Sequence, residues 1–135
     1  MNQTKIKSIL LAAGAMNIGA VLLFSRFFTN SVINEADPVV MSNFGLVMIV
    51  VWGFAYLGAA TVNDNIKYLA GAFALEKLVY VVVWVHWIST NALAPVYEAD
   101  LMAGVFFTIY GINDFAFMIL FFMIFKSKFA IKSDS

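Results

Sequence analysis

Ionisable side chains stand in the middle of segments that are otherwise apolar. Glu76 and Lys77 are adjacent within GAFALEKLVYVVVWVHW, residues 71–87, and Asp114 lies within YGINDFAFMIL, residues 110–120. Acidic and basic groups in apolar surroundings relay protons, bind ions or pair with one another. These three residues are therefore the first candidates for chemistry in this chain.

Lys77 and Asp114 are expected to form an ion pair. Each falls near the middle of an apolar run of about 20 residues, the length of a transmembrane helix. If the two runs are antiparallel helices, both side chains lie within about one turn of the bilayer centre. A lone Lys or Asp there costs roughly 2.5 to 3.5 kcal/mol on insertion scales, and pairing lowers that cost. The alternative to a functional pair is a structural one that fixes helix register.

Small and polar residues around this pair extend it into a cluster. Ala74 precedes Lys77 on a similar helical face, and Gly111 precedes Asp114, so the helix backbones can approach closely there. Tyr110 is four residues before Asp114, and we expect its hydroxyl to reach the same cluster. The remaining candidates carry amides that could bond the charges or simply join two helices: Asn17 and Asn113.

Glu76 does not share the face of Lys77, because consecutive residues are about 100° apart around a helix. Two ionised carboxylates beside one lysine would leave a net negative charge in the membrane. We therefore expect Glu76 to be protonated at neutral pH. The alternative is a contact between helices or subunits in which a hydroxyl or an amide satisfies Glu76.

His86 is the one histidine and stands between Trp84 and Trp87 near the end of its run. Aromatic residues are enriched at membrane–water interfaces, so we interpret all three as interfacial. A bis-histidine haem is excluded within one chain because the chain has one histidine. His86 with a loop carboxylate such as Glu98 or Asp100 would supply too few ligands for a typical metal site. We expect no metal, keep pH sensing by His86 as a further alternative, and leave the cofactor unknown.

Composition indicates which elements position these residues. The chain has 135 residues, is 63% hydrophobic and 12% charged, and has a mean hydropathy of +0.91. Soluble domains are about 25% charged, so the membrane class is favoured. No cysteine is present, which excludes disulfides and thiolate metal sites. Apolar runs predict transmembrane helices at residues 8–25, 39–60, 68–88 and 101–125.

We predict an all-α integral membrane protein, a four-transmembrane-helix bundle forming a single membrane domain over residues 1–135. Membrane β-strands need only about ten residues and alternate polar with apolar positions, unlike these runs. Pro38 is expected at the start of the second helix. The first run is read as a retained helix because no clear signal-peptide cleavage site follows it.

Positive charge is distributed unevenly between the two predicted ends of the bundle. Only Arg26 stands at one end, among acidic residues. The other end holds Lys5, Lys7, Lys67, Lys126, Lys128 and Lys132. Because lysine and arginine in short loops favour the cytoplasmic side, we expect both termini to be cytoplasmic.

Three segments carry a resemblance to a known group: GFAYLGAATVNDN, LEKL and INDFAFMILF, all within residues 43–125. They resemble the BphX-like and DoxX-like small bacterial membrane proteins. The resemblance implies four helices in a bacterial inner (plasma) membrane, with a recurring lysine and aspartate that fall on Lys77 and Asp114. It implies no agreed activity, and Glu76 departs from the pattern of the group.

Three classes of function are compatible with these features. The first is a binding or accessory subunit of a larger membrane complex or a homo-oligomer, which needs no catalytic residues. The alternative is a small proton-coupled transporter or channel that uses Glu76, Lys77 and Asp114. The third is an enzyme or a pigment, quinone or haem protein, which is disfavoured because P-loop, zinc-protease and nucleophile-elbow motifs are absent. The bilayer is the expected partner, and the few basic residues exclude nucleic acid.

Overall fold

The computed structural model describes residues 1–127. These residues form helices and no strand, which confirms the all-α class, and four of the helices are long and apolar enough to cross a membrane. Lys128 and Lys132, which were assigned to the lysine-rich end, lie outside the described residues. The helices are α1 Gln3–Phe24, α2 Ser31–Ala36, α3 Asn43–Ala59, α4 Lys67–Thr90, α5 Ala94–Ala99 and α6 Leu101–Lys126.

Helix α3 begins at Asn43 and not at residue 39, as Pro38 had suggested. The start is set by Ser42, whose Oγ accepts a hydrogen bond of 3.1 Å from the backbone N–H of Gly45. This is the contact of an N-cap residue, which satisfies an N–H that has no partner within the helix. The residues between Pro38 and Ser42 form a turn instead.

The short helices α2 and α5 lie in segments where the sequence predicted loops. Asn30 caps α2, because its Oδ1 accepts a bond of 3.2 Å from the N–H of Val32. Pro95 lies in the first turn of α5, where its missing N–H leaves no bond unmade. Both helices connect the ends of the long helices on the side of the molecule opposite to the lysines.

The four long helices form two closely packed pairs, α1 with α3 and α4 with α6. Glycine permits the close approach within the first pair: a Cβ added to Gly14 would lie 2.6 Å from Leu57, and one added to Gly53 would lie 3.0 Å from the Cβ of Asn17. In the second pair the indole of Trp84 occupies the space that a side chain at Gly111 would need. Small residues therefore bring both pairs together, as is usual between membrane helices.

Two apolar clusters fill the space between the pairs, one nearer each end of the bundle. The cluster at the lysine-rich end is centred on the rings of Tyr56, Phe73 and Phe121. The cluster at the other end is centred on Trp87, Phe107 and Tyr110. One polar residue on each of three helices lies between the two clusters. These residues are Asn17 in α1, Lys77 in α4 and Asp114 in α6.

Candidate functional site

Lys77 is the centre of the polar cluster between the two apolar clusters. Its Nζ lies 2.9 Å from Oδ1 of Asp114 and donates a second bond of 2.9 Å to Oδ1 of Asn17. The lysine is only 1% exposed. The ion pair expected from the matched depths of Lys77 and Asp114 is therefore formed, and one of the two candidate asparagines completes it.

The two asparagines extend the cluster in different ways. Asn17 donates from Nδ2 to the backbone carbonyl of Ile49 in α3, at 3.0 Å, so both ends of its amide are used. Asn113 makes a longer bond of 3.3 Å from Nδ2 to Oδ1 of Asp114, its neighbour in the chain. Asn17 thus links three helices through Lys77 and Ile49, whereas Asn113 only supports the carboxylate beside it.

Glu76 has a partner that the sequence did not identify. The hydroxyl of Tyr56 in α3 donates to Oε1 of Glu76 in α4, and Tyr56 is completely buried. The expected alternative, in which a hydroxyl satisfies Glu76, is the arrangement that the structure contains. A signal was present, since Tyr56 and Ser42 carry the two hydroxyls of the predicted second helix and Ser42 lies at its start. The rotation of that helix, which the sequence leaves open, decides whether the hydroxyl of Tyr56 faces Glu76.

Tyr56 contacts both charges of the adjacent pair in α4. Its hydroxyl bonds Glu76, and the centre of its ring lies 5.3 Å from Nζ of Lys77. An ammonium group at that distance over an aromatic face is stabilised by the ring quadrupole. Lys77 therefore meets a carboxylate, an amide and an aromatic face. A hydrogen bond received by Glu76 is compatible with either protonation state, so its protonation at neutral pH stays a prediction.

Tyr110 does not join the cluster, which corrects the sequence prediction. Its hydroxyl is buried and has no hydrogen-bond partner among the described residues. Helical side chains lean toward the N-terminus of their helix, so Tyr110 points away from Asp114 one turn later. Its ring instead packs against Phe106 and Phe107, with centroid distances of 5.5 and 5.9 Å.

The three residues expected at the interface separate into two groups. His86 is exposed on the outer surface of α4. Trp87 is buried and stacks on Phe107 with ring centroids 4.5 Å apart. The indole N–H of Trp87 donates to the carbonyl of Ala36 at 2.8 Å, and that of Trp84 donates to the carbonyl of Phe107 at 2.7 Å. Both tryptophans therefore join elements of the bundle through their indole N–H groups. The interfacial depth expected for these two residues and His86 stays a prediction.

A second ion pair lies at the end of the bundle opposite to the lysines. Arg26 Nη2 is 2.5 Å from Oδ1 of Asp100, and Asn30 Nδ2 donates to Oδ2 of the same carboxylate at 2.8 Å. Asp100 also caps α6 by accepting from the N–H of Ala103 at 2.9 Å. The hydrogen bond from Arg26 is the main reason that the pKa of Asp100 lies below its usual range.

The backbone before α2 is strained where it carries Arg26 to this pair. Arg26, Phe27 and Phe28 have φ angles of 49°, 56° and 67°. Residues with side chains rarely adopt this left-handed region, and each such residue costs about 1–3 kcal/mol. The buried Ser25 holds the turn, because its carbonyl accepts from the N–H groups of Thr29 and Asn30.

Within residues 1–127, no group of three His, Asp or Glu side chains is arranged to hold a metal ion. A cavity of about 40 Å³ lies beside the cluster and is lined in part by Asn17, Tyr110, Asn113 and Asp114. This volume is enough for one water molecule or a few. The cluster therefore holds a paired charge beside a space large enough for water.

No family model, curated protein or solved structure matches this chain. The resemblance to the BphX-like and DoxX-like proteins consequently stays a prediction that rests on the three quoted motifs.

Proposed function

We propose that this protein is a membrane-embedded binding and accessory subunit that associates with a larger membrane complex or with further copies of itself. The observation that carries the proposal is that the polar side chains inside the bundle bond one another. Lys77 makes its polar contacts inside the chain and is almost completely buried. Such a cluster holds the four long helices in one arrangement. The apolar outer surface is therefore the part of the molecule that can bind a partner.

The contacts of the cluster support a holding role because they join the two helix pairs. The bond from Lys77 to Asn17 connects α4 with α1, and the bond from Tyr56 to Glu76 connects α3 with α4. Buried polar groups of this kind fix register and orientation in some proteins. A fixed exterior is what a binding subunit needs, because partner contacts depend on the shape of the helix faces.

Insertion in a bacterial inner membrane with both termini cytoplasmic is part of the proposal. Lys7 donates to Oδ1 of Asn63 at 2.6 Å, so the start of α1 and the α3–α4 turn lie at the same end. Lys67 and Lys126 belong to that end as well. At the other end the positive charge of Arg26 is neutralised by Asp100. This asymmetry supports the orientation that the positive-inside rule predicts.

Purification from native membranes in mild detergent, followed by mass spectrometry, tests the proposal. We expect a stoichiometric protein partner or a second copy. Gly19 and Gly58 are suitable positions for variants that map the contact surface, because a Cβ added to either meets nothing within 4 Å. Gly19→Leu and Gly58→Leu should therefore fold, and loss of association in either variant would locate the contact on α1 or α3. A folded wild-type monomer without any partner would contradict the proposal.

A second candidate is a small proton-coupled transporter or channel. It is favoured by Glu76, an additional carboxyl group next to an ion pair, and by the small cavity beside Asp114. Intramembrane carboxyl groups are typical of proton pathways. Proton flux into liposomes should fall in Glu76→Gln and Asp114→Asn, with folding checked by circular dichroism. Flux that is unchanged in both folded variants would remove this candidate.

A further inference from the structure

An open apolar groove runs along the outer surface between α4 and α6. It has a volume of about 730 Å³. It follows α4 from Tyr68 to Leu78, a rise of about 15 Å, and Asp114 is not part of its lining. Its lining is apolar and comes from α4 and α6, and it includes Tyr68, Gly71, Ala72, Leu78, Phe122 and Phe125.

Gly71 shapes the end of this groove nearest the lysines. A Cβ at position 71 would lie 2.8 Å from Cδ1 of Phe125, so the ring rests against bare helix backbone. Tyr68 packs edge-on against the same ring, with centroids 6.3 Å apart. The groove therefore ends on a platform made of the Tyr68, Phe122 and Phe125 rings.

Two ammonium groups lie over that platform. Lys67 Nζ is 5.6 Å from the centre of the Phe125 ring and 5.9 Å from that of Tyr68. Lys126 Nζ is 5.7 Å from the centre of the Phe122 ring. The ion pairs of residues 1–127 use Arg26 and Lys77, so no carboxylate in this part of the chain neutralises Lys67 or Lys126.

We propose that the groove binds an anionic phospholipid, with an acyl chain along α4 and α6 and the phosphate at Lys67 and Lys126. An apolar groove that ends at Lys67 and Lys126, which no carboxylate of residues 1–127 neutralises, complements an amphiphile with an anionic head. Basic sites between membrane helices at the cytoplasmic side bind anionic headgroups in this way. A zwitterionic headgroup would bring its own cation toward the lysines, which disfavours phosphatidylcholine. This inference depends on membrane insertion and is independent of any protein partner.

Native mass spectrometry of the purified chain, titrated with phosphatidylglycerol, phosphatidylcholine or oleate, tests the site. We expect phosphatidylglycerol to be retained more strongly than the other two. Lys67→Gln with Lys126→Gln should weaken phosphatidylglycerol binding roughly tenfold or more, since each lysine near a membrane surface contributes to anionic lipid binding. Lys5→Gln with Lys7→Gln removes the same charge from the same end and should leave the affinity nearly unchanged.

Ala72→Phe tests the apolar part of the site, because Ala72 is exposed and lines the groove. This variant should lose the retained lipid while both lysines stay in place. If the double lysine variant does not fold, the exposed Lys126 allows Lys126→Gln alone, with an expected loss of roughly threefold. Equal retention of phosphatidylcholine or oleate, or full retention in folded Lys126→Gln or Ala72→Phe, would overturn the proposal.

Discussion

Residues 1–127 contain two ion pairs that differ in burial, position and surroundings. Lys77 and Asp114 lie 2.9 Å apart with side chains that are 2% and 11% exposed. Arg26 and Asp100 lie 2.5 Å apart, but the arginine side chain is 51% exposed. The first pair lies between apolar clusters in the middle of long helices, and the second lies on a strained turn at the end of the bundle.

Burial decides what each pair contributes to the fold. Exposed pairs are worth about 0–1 kcal/mol, because water and salt screen the attraction. A buried pair adds little over an apolar replacement, but removal of one partner leaves an uncompensated charge. The Lys77–Asp114 pair therefore defines which helix arrangements are allowed, while the Arg26–Asp100 pair adjusts a loop.

The largest effect is expected for Lys77→Met, which leaves Asp114 buried without its cation and Asn17 without its donor. We expect a loss of about 3–5 kcal/mol in the free energy of unfolding, measured by titration with sodium dodecyl sulfate in mixed micelles. Lys67→Met on the same helix is the matched control and should lose far less. Similar losses for the two lysine variants would remove the distinction between the buried Lys77 and the partly exposed Lys67.

Tyr56→Phe should give the next largest effect, about 1–2 kcal/mol in the same measurement, because Glu76 loses its hydroxyl donor. Tyr110→Phe is the matched control, since it removes a buried hydroxyl that has no partner among the described residues. That change should be neutral or slightly stabilising. If both tyrosine variants lose equal stability, the bond to Glu76 contributes nothing specific.

Glu76→Gln should change stability by less than Tyr56→Phe, because an amide oxygen still accepts from the hydroxyl of Tyr56. It also tests the protonation of Glu76. Infrared spectra at pH 7 should show a protonated carboxyl band in the wild-type protein that disappears in the variant. An unchanged band would show that Glu76 is ionised at that pH.

Arg26→Gln should have the smallest effect, about 1 kcal/mol or less at pH 7. The pKa of Asp100 is lower in the folded protein than its usual value, so the unfolded chain binds more protons as pH falls. The contribution of the pair is therefore fully present at neutral pH and decreases as the pH falls from about 4 through the lowered pKa of Asp100. The difference in melting temperature between the wild type and the variant should be smaller at pH 3 than at pH 7, and smaller in 1 M salt than in dilute buffer. A difference that is as large at pH 3 as at pH 7 would contradict this account.

The contact between Lys77 and Asp114 is predictable from the sequence because the two charges have matched depth and lie on helix faces that carry small residues. Lys77 and Asp114 fall at matched positions along antiparallel helices, and helix geometry fixes those positions without knowledge of rotation. The bond from Tyr56 to Glu76 depends on how α3 is rotated, and the direction of Tyr110 depends on the lean of its side chain. Composition and helical period constrain neither of these.

The pair between Arg26 and Asp100 depends on backbone conformation that the sequence does not signal. Arg26, Phe27 and Phe28 adopt positive φ angles without glycine, whereas left-handed turns are predicted from glycine or asparagine. The position of α2 follows from that turn. Local propensity therefore predicts the long helices better than it predicts the segments that connect them.

A double-mutant cycle on Lys77 and Asp114 tests the central claim most directly. The free energy of unfolding would be measured for Lys77→Met, Asp114→Leu and the double variant in one detergent system. We expect the double variant to be more stable than either single variant, because it leaves no buried charge from the pair unpaired. Losses that simply add would show that Lys77 and Asp114 do not form the pair on which the interior of this bundle depends.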